Sequence, residues 1–309
     1  IRRRSVVPSS LASLRFARAL YGDHVFGAPI LGTPGSVGAI GRADVERFYR
    51  RQVVAAPMHL IVAGAVDPSR VLRLAADALA GLPREPEVTA DLEPAAAHSS
   101  TRVFLVDRPD AAQTELRVGH FGVPRTHPDF TPLTVMNSLL GGKFTSRLNL
   151  NLRERHGITY GVRSGFSRRA DGGPFTISAA VATESAGLAV REIRGELERL
   201  RAEPVSATEL DETRSYILGV FPYTVQSLDG VAHRLREIAV HGLPLDHWDR
   251  YPGEIRAVDA DAVLRAAREH LRPDGLTVVA VGPEKELRPQ LEPFGEIDVW
   301  RPAEEFGAD

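Results

Sequence analysis

Leu139–Ser167 reads LLGGKFTSRLNLNLRERHGITYGVRSGFS, and this stretch decides the fold. A helix carrying Arg147, Leu148, Leu150, Leu152 and Arg153 is expected to stop at Gly157, where a strand carrying Ile158, Tyr160, Val162, Ser164 and Phe166 begins at once. Glycine suits the position just past a helix end because it takes positive φ without a Cβ clash. Arg153, in the last turn, and Tyr160, early in the strand, are thereby thrown close together. An arginine fork and a phenol donor converging on one point suit a bound peptide carbonyl or a developing oxyanion.

On the N-terminal side of this stretch, Asp129–Leu140 reads as a helix closed by Gly141-Gly142, and Arg102–Asp107 and Thr114–Val123 alternate as two strands. On its C-terminal side, Ala170-Asp171-Gly172-Gly173 turns a hairpin onto a strand with Phe175, Ile177, Ala179 and Val181 on one face. Thr183 caps a helix with Ala186, Ala189, Ile193, Leu197 and Leu200 apolar, and Ser206-x-x-Glu209 is a capping box for the next. Helices follow near Val225–His241, Asp246–Arg256 and Asp259–His270, then a strand over Leu276–Val281 ending at Gly282-Pro283.

The N-terminal part carries the same signals. Ser9–Tyr21 is a helical stripe, Arg42–Gln52 a helix with Val45, Phe48 and Tyr49 on one face, Met58–Ala63 a buried strand ended by Gly64, and Ser69–Leu82 a helix. The order helix, apolar strand, glycine turn therefore occurs twice, at Arg42–Gly64 and again at Asp259–Gly282. Between them, over Pro83–Ser100, the composition shifts to Pro, Glu, Ala and Ser. The expected class is α+β, with two related domains that each pack helices on an antiparallel-rich mixed sheet. Residues 1–90 form the later part of a first, incomplete domain, 91–100 the linker, 101–299 the second domain and 300–309 a tail.

With 309 residues, 43% apolar and 25% charged, a formal charge of -2 and no cysteine, the chain reads as globular. No basic block stands free of acids, which argues against nucleic acid, and the absence of cysteine excludes disulfides and thiolate metal sites. No run reaches the roughly 18 apolar residues of a membrane span. The compartment stays open, with a soluble cytoplasmic setting favoured, and the arginine- and alanine-rich composition fits many bacterial proteins. The chain starts at Ile1, inside an amphipathic helix, so a fragment or processed chain is the expectation.

The run L-G-G-x-x-x-S-R-L, then L-R-E-x-x-G-I-T-Y, then S-G-F resembles the C-terminal domain of the pitrilysin and mitochondrial processing peptidase family of zinc peptidases. Ala19-Leu20-Tyr21-Gly22, Ile30-Leu31-Gly32-Thr33 and His59–Gly64 resemble the second half of its N-terminal domain, and Gln113 also fits. The resemblance spans roughly Pro8–Phe294. It implies two related α+β domains facing a cavity, an inverted H-x-x-E-H zinc motif with a distant glutamate in the first domain, and an arginine and a tyrosine seven positions apart in the second. Arg153 and Tyr160 match that spacing. By the resemblance they bind the substrate backbone and steady the tetrahedral intermediate. The plainer reading is that Arg153 pairs with an acid such as Glu154 and Tyr160 packs in the hairpin.

No H-x-x-E-H occurs in the sequence. Zinc is therefore expected on a partner chain or an upstream segment, with no metal ligand in this chain. The remaining candidates are weaker. His233, Glu237 and His241 share a helix face but read as an ordinary solvated one, and His98, His120 and His127 lack a carboxylate at motif spacing. Gly32-Thr33-Pro34-Gly35 has no phosphate-loop lysine, and Ser164 no nucleophile elbow.

Three functions follow. The chain is a subunit that binds an extended peptide and supplies the Arg/Tyr pair to a partner's zinc site, or a homodimeric zinc metalloendopeptidase whose motif lies upstream, or a structural relative without activity. Ser5-Val6-Val7-Pro8 lacks the acidic residues of active members, favouring the first over the second; the intact pair speaks against the third.

Overall fold

The computed structural model describes residues 6–54, 58–83, 99–169 and 172–301. Most of the expected linker and the tail from residue 302 lie outside the described residues, as do Ala170 and Asp171 of the hairpin turn. The chain divides into two compact units, one drawn from Ile1–Pro34, Pro94–Leu218 and Pro252–Asp309, the other from Gly35–Glu93 and Gly219–Tyr251.

The first unit is built on a mixed six-stranded sheet: β1 (Arg102–Asp107), β2 (Thr114–Phe121), β3 (Thr159–Phe166), β4 (Pro174–Val181), β5 (Thr277–Gly282) and β6 (Ile297–Trp300). The order is β3-β4-β2-β5-β1-β6. Pairs β3/β4, β4/β2 and β2/β5 are antiparallel, whereas β5/β1 and β1/β6 are parallel. The antiparallel-rich α+β expectation holds in this unit. β6 has no sequence signal of its own, because four residues with one strongly apolar flank are too short for a period to show.

Alternation along β2 and β4 sorts the faces. Leu116, Val118, Phe175, Ile177 and Val181 are buried on one side, under the helices Phe130–Asn137, Ala186–Ala202, Ala260–His270 and Glu284–Leu291. The other side is divided. Register places Arg163, Ser178, Arg117, Val279, Phe104 and Asp298 in one row across all six strands. Helix α1 (Pro8–Tyr21) covers the apolar half of that row, packing Leu11, Ala12, Phe16 and Leu20 on Phe104, Val106, Val279 and Val281. Each large side chain so buried contributes about 1.5–3 kcal/mol. Arg15 of α1 reaches Asp298 at 2.6 Å and lies over the Phe104 ring. α1 reaches Arg117 of β2 through Ser9 and Ser13, and the site lies over the rest of the polar half, along β4 and β3.

In the second unit, α2 (Arg42–Gln52) and α3 (Pro68–Leu79) form as expected, the latter capped by the Asp67 carboxylate accepting from the Ser69 and Arg70 N–H groups. The expected buried strand at Met58–Ala63 does not form: it has no strand partner among the described residues, and Leu60 is 58% exposed. A strand buried on both faces needs neighbours at both edges, and an apolar run alone does not provide them. Val45, Phe48 and Tyr49 of α2 share a face that is likewise exposed. Elsewhere in this unit Trp248, Phe221 and Tyr251 pack against one another, with Arg234 over the Trp248 ring at 4.2 Å.

Candidate active site

The helix ahead of the deciding stretch, Phe130–Asn137, opens into a wide π-helical turn over Ser138–Gly142, and a second π-helical segment runs Asn149–Arg155. Such turns leave local backbone groups with altered spacing and are found at functional sites. Gly141 explains the first. A Cβ there would stand 2.5 Å from Ser164 Oγ and 2.8 Å from the Ser164 backbone nitrogen, so only glycine lets the turn lie against β3. Gly157, with φ of 63°, ends the second segment as expected and sends the chain into β3.

β3 is an edge strand, yet its outer edge is not open. The Asn149 side chain acts as a strand in miniature: its Oδ1 accepts from the Val162 N–H and its Nδ2 donates to the Val162 carbonyl, both at 3.0 Å. The same amide donates to the Lys143 carbonyl and Ser146 Oγ. Asn137 Nδ2 donates to the Ser164 carbonyl at 3.2 Å, and Ser164 Oγ donates back to Asn137 Oδ1 at 2.8 Å. Two asparagines thus satisfy groups that would otherwise recruit another strand.

The rest of the helical segment is anchored by charge. Arg147 meets Glu209 with two bonds of 2.7 Å, an arrangement that raises the arginine's pKa further through the Glu209 hydrogen bond. Glu209 was expected to complete a capping box. Its N–H does donate to Ser206 Oγ at 3.2 Å, but its carboxylate serves Arg147. Lys143 donates to Thr213 Oγ1 at 2.9 Å in a buried pair, and Asn151 donates to Glu192 and Glu196.

On this frame stand the two expected site residues. Arg153 lies with its guanidinium 4.2 Å from the centre of the Phe144 ring and 3.0 Å from the Glu154 carboxylate, about one third exposed. The plain ion pair foreseen for Arg153 therefore exists, together with the ring, and neither consumes all five N–H groups. Tyr160 does not pack in the hairpin: it is 89% exposed. A bulge causes this. Register slips between Thr159 and Val162, and the Thr159 hydroxyl fixes the slip by donating to the Ala180 carbonyl at 2.7 Å and accepting from the Gly161 N–H at 3.1 Å.

Tyr160 opens onto a groove of about 760 Å³ over the polar half of the sheet, lined also by Phe144, Arg163, Ser178, Arg117 and Tyr216. A second depression of about 690 Å³ continues on the far side of Arg117, toward α1 and Ile30. None of Asn137, Asn149, Phe144 or Arg163 is marked by the sequence reading. Their roles depend on which strand is the edge, and residue spacing carries no such information.

The histidines sort differently from their spacing. His120 is buried beside Phe175, its Nδ1 2.7 Å from the Phe121 carbonyl and its Nε2 accepting from the Arg272 N–H, and burial pushes its pKa down to about 4. His127 stands two residues from Asp129 and gains a second imidazole that spacing could not reveal, since His270 lies 141 residues beyond Asp129. This His127, Asp129, His270 group is the metal-capable cluster among the described residues. Asp129 Oδ2 is hydrogen-bonded to His270 Nε2 at 2.7 Å, and His127 Nδ1 accepts the Asp129 N–H at 3.1 Å, so the three groups are tied to one another. His233, Glu237 and His241 form no such cluster; Glu237 pairs with Arg234 at 2.7 Å.

Among known proteins, the chain is similar to an uncharacterized zinc protease of Streptomyces coelicolor, 29% identical over 280 residues, covering 88% of this chain and 60% of the relative. It is 23% identical over 262 residues to the uncharacterized zinc protease YmxG of Bacillus subtilis, covering 85% of this chain and 63% of that one. The chain thus spans about 60% of the length of these curated relatives. Its fold is similar to the crystal structure of a peptidase M16 inactive domain from Pseudomonas fluorescens, with a TM-score of 0.82 and 26% identity, covering 91% of this chain and 67% of that one. A protease from Helicobacter pylori gives a TM-score of 0.81 at 20% identity, covering 91% and 69%, a likeness of fold. The family profile described as Peptidase M16 inactive domain matches residues 39–217, more than half of the sequence. The chain belongs to that peptidase M16 family.

Proposed function

We propose that this chain is the peptide-gripping part of a zinc metallopeptidase, supplying Arg153 and Tyr160 to a zinc site whose ligands lie on a partner chain. The observation that carries this reading is the bulge that holds Tyr160 89% exposed at the groove, close in the chain to an arginine poised on Phe144. A buried or hairpin-packed tyrosine would have no such use. The names of the curated relatives, zinc proteases both, support the chemistry.

In this reading an extended, unstructured peptide crosses the groove. Arg153 donates to a substrate backbone carbonyl, with Phe144 fixing the guanidinium plane. The Tyr160 hydroxyl donates to the oxygen that gains charge at the tetrahedral stage. The closed β3 edge supports a further point: the peptide finds no backbone partner there, so its strand pairing is with a sheet edge of the zinc-bearing domain. The zinc, when present, would supply the activated water; the residues described in this chain hold and orient substrate.

The length and naming of the relatives favour a second reading, in which the zinc ligands belong to a further segment of the same polypeptide and the enzyme is a homodimer. Metal analysis of the purified full-length product separates the two. Binding of a fluorescent extended peptide tests both. Arg153→Ala is expected to weaken it about tenfold or more; unchanged affinity removes Arg153 from the substrate site.

A further inference from the structure

The basic groups around the groove divide by whether the described residues give them a partner. Arg117 is fully engaged: its Nε donates to Ser13 Oγ, Nη1 to Glu115 at 3.0 Å and to the Leu116 carbonyl at 2.8 Å, and Nη2 to the Ser9 carbonyl. Lys143 is held by Thr213, and Arg153 by Glu154 and Phe144. Glu115, the acid on the groove floor, is spent on Arg117. Arg163 lines the same groove, is exposed, and has no carboxylate or hydrogen-bond acceptor among the described residues.

Register puts Arg163 directly opposite Ser178 of β4, which in turn faces Arg117 of β2. Directly opposed residues share a sheet face, with Cβ atoms about 4.5–5.5 Å apart. The Ser178 hydroxyl also lacks a hydrogen-bond partner among the described residues, and the neighbouring floor positions, Ala180 and Gly161, are small. A free guanidinium and a free hydroxyl thus stand side by side on a floor with room above them. The Glu115–Arg117 pair is neutral in sum, so Arg163 leaves the floor net positive.

We infer that Arg163 and Ser178 form a subsite for a carboxylate side chain, so that the bound peptide carries Asp or Glu there. This rests on the proposed peptide-binding function and specifies its substrate. Position follows from the strand. Arg163 is three residues along the bulged β3 from Tyr160, at most about 10 Å at the rise of a strand, and an extended peptide spans that distance in three residues. The acidic residue therefore sits within about three positions of the scissile bond.

The test uses the chain together with its zinc-bearing partner or segment and a peptide set that places Asp, Asn or Lys at successive positions around the cleaved bond, with amidated C-termini. The expected result is that Asp exceeds Lys in kcat/KM by about tenfold at one position within about three residues of the bond. Arg163→Ala abolishes the preference, Arg163→Glu inverts it, and Ser178→Ala reduces it. Because Arg163 is exposed, the thermal midpoint of both arginine variants stays at the wild-type value, so a change of preference is not misfolding. No preference at any position, or one that survives Arg163→Glu, overturns the subsite. So does a preference seen with free C-termini and lost on amidation, which would assign the contact to a terminal carboxylate. Tyr160→Phe run in parallel reports on the underlying function: if it leaves turnover intact, that function fails whatever the peptides show.

Discussion

His120 sets a pH limit on the stability of the sheet. Its imidazole is buried at the end of β2, and its two nitrogens are both used in the neutral form, one toward the Phe121 carbonyl and the other accepting from the Arg272 N–H. Burial, which leaves a charged imidazole without solvent, is the main reason the pKa falls from 6.5 to about 4, and the nearby Arg272 charge adds to it. The folded pKa is thus depressed below the unfolded one. Above pH 6.5 both states are neutral and the group takes nothing from stability; below it the unfolded chain gains a proton that the folded chain refuses, until the folded form titrates near pH 4. The full loss is about 3 kcal/mol, of which about 2.5 kcal/mol has accumulated by about pH 4.5. Other groups titrate over the same range, so the variant His120→Gln, neutral throughout, isolates this one. Urea unfolding of both proteins at a series of pH values between about 7.5 and 4.5 is the assay. Wild type is expected to be the more stable at the upper end, and its advantage to shrink by about 2.5 kcal/mol on acidification. A difference that stays constant with pH would mean that His120 accepts a proton as easily folded as unfolded, and the reasoning fails.

Three further outcomes follow from the frame of the site. Asn149→Ala strips the Val162 N–H and carbonyl of their partners in a buried setting and is expected to cost about 2–4 kcal/mol in urea unfolding; the freed β3 edge should also raise the oligomeric fraction in sedimentation, and neither change would mean the edge is not closed by this amide. Gly141→Ala forces a Cβ against the Ser164 backbone nitrogen as well as its hydroxyl, so a loss of about 1–3 kcal/mol is expected that Ser164→Ala does not rescue; rescue would place the clash on the side chain alone. Arg147→Ala and Glu209→Ala, combined in a double-mutant cycle, should couple by about 1–2 kcal/mol, since the two bonds are bidentate and only partly exposed; additive effects would show the pair to be idle.

How much of this was legible before the structure depends on how far apart the interacting residues lie. The helix stop at Gly157, the strand after it and the alternation of Phe175, Ile177, Ala179 and Val181 are local signals, and they appear where the residues place them. Arg153 and Tyr160 could be singled out by spacing. What spacing could not convey is the bulge that exposes Tyr160, because it is set by Thr159 bonding across to Ala180. Nor could it show that Asn149 and Asn137 close an edge, since the edge exists only once the strand order is known. The approach of His270 to Asp129 is invisible for the same reason. At Met58–Ala63 the apolar run was legible and its burial was not, because burial belongs to the neighbours.

In the proposed function Tyr160 acts on the reacting carbonyl of a peptide. The direct measurement is single-turnover cleavage by the chain with its zinc-bearing partner or segment, comparing wild type with Tyr160→Phe. The side chain is exposed, so the hydroxyl can be removed at a stability cost within about 0.5 kcal/mol. The expected result is a loss on the order of 10²–10³ in the rate of the chemical step, with peptide affinity little changed. A Tyr160→Phe variant that cleaves at the wild-type rate would contradict it.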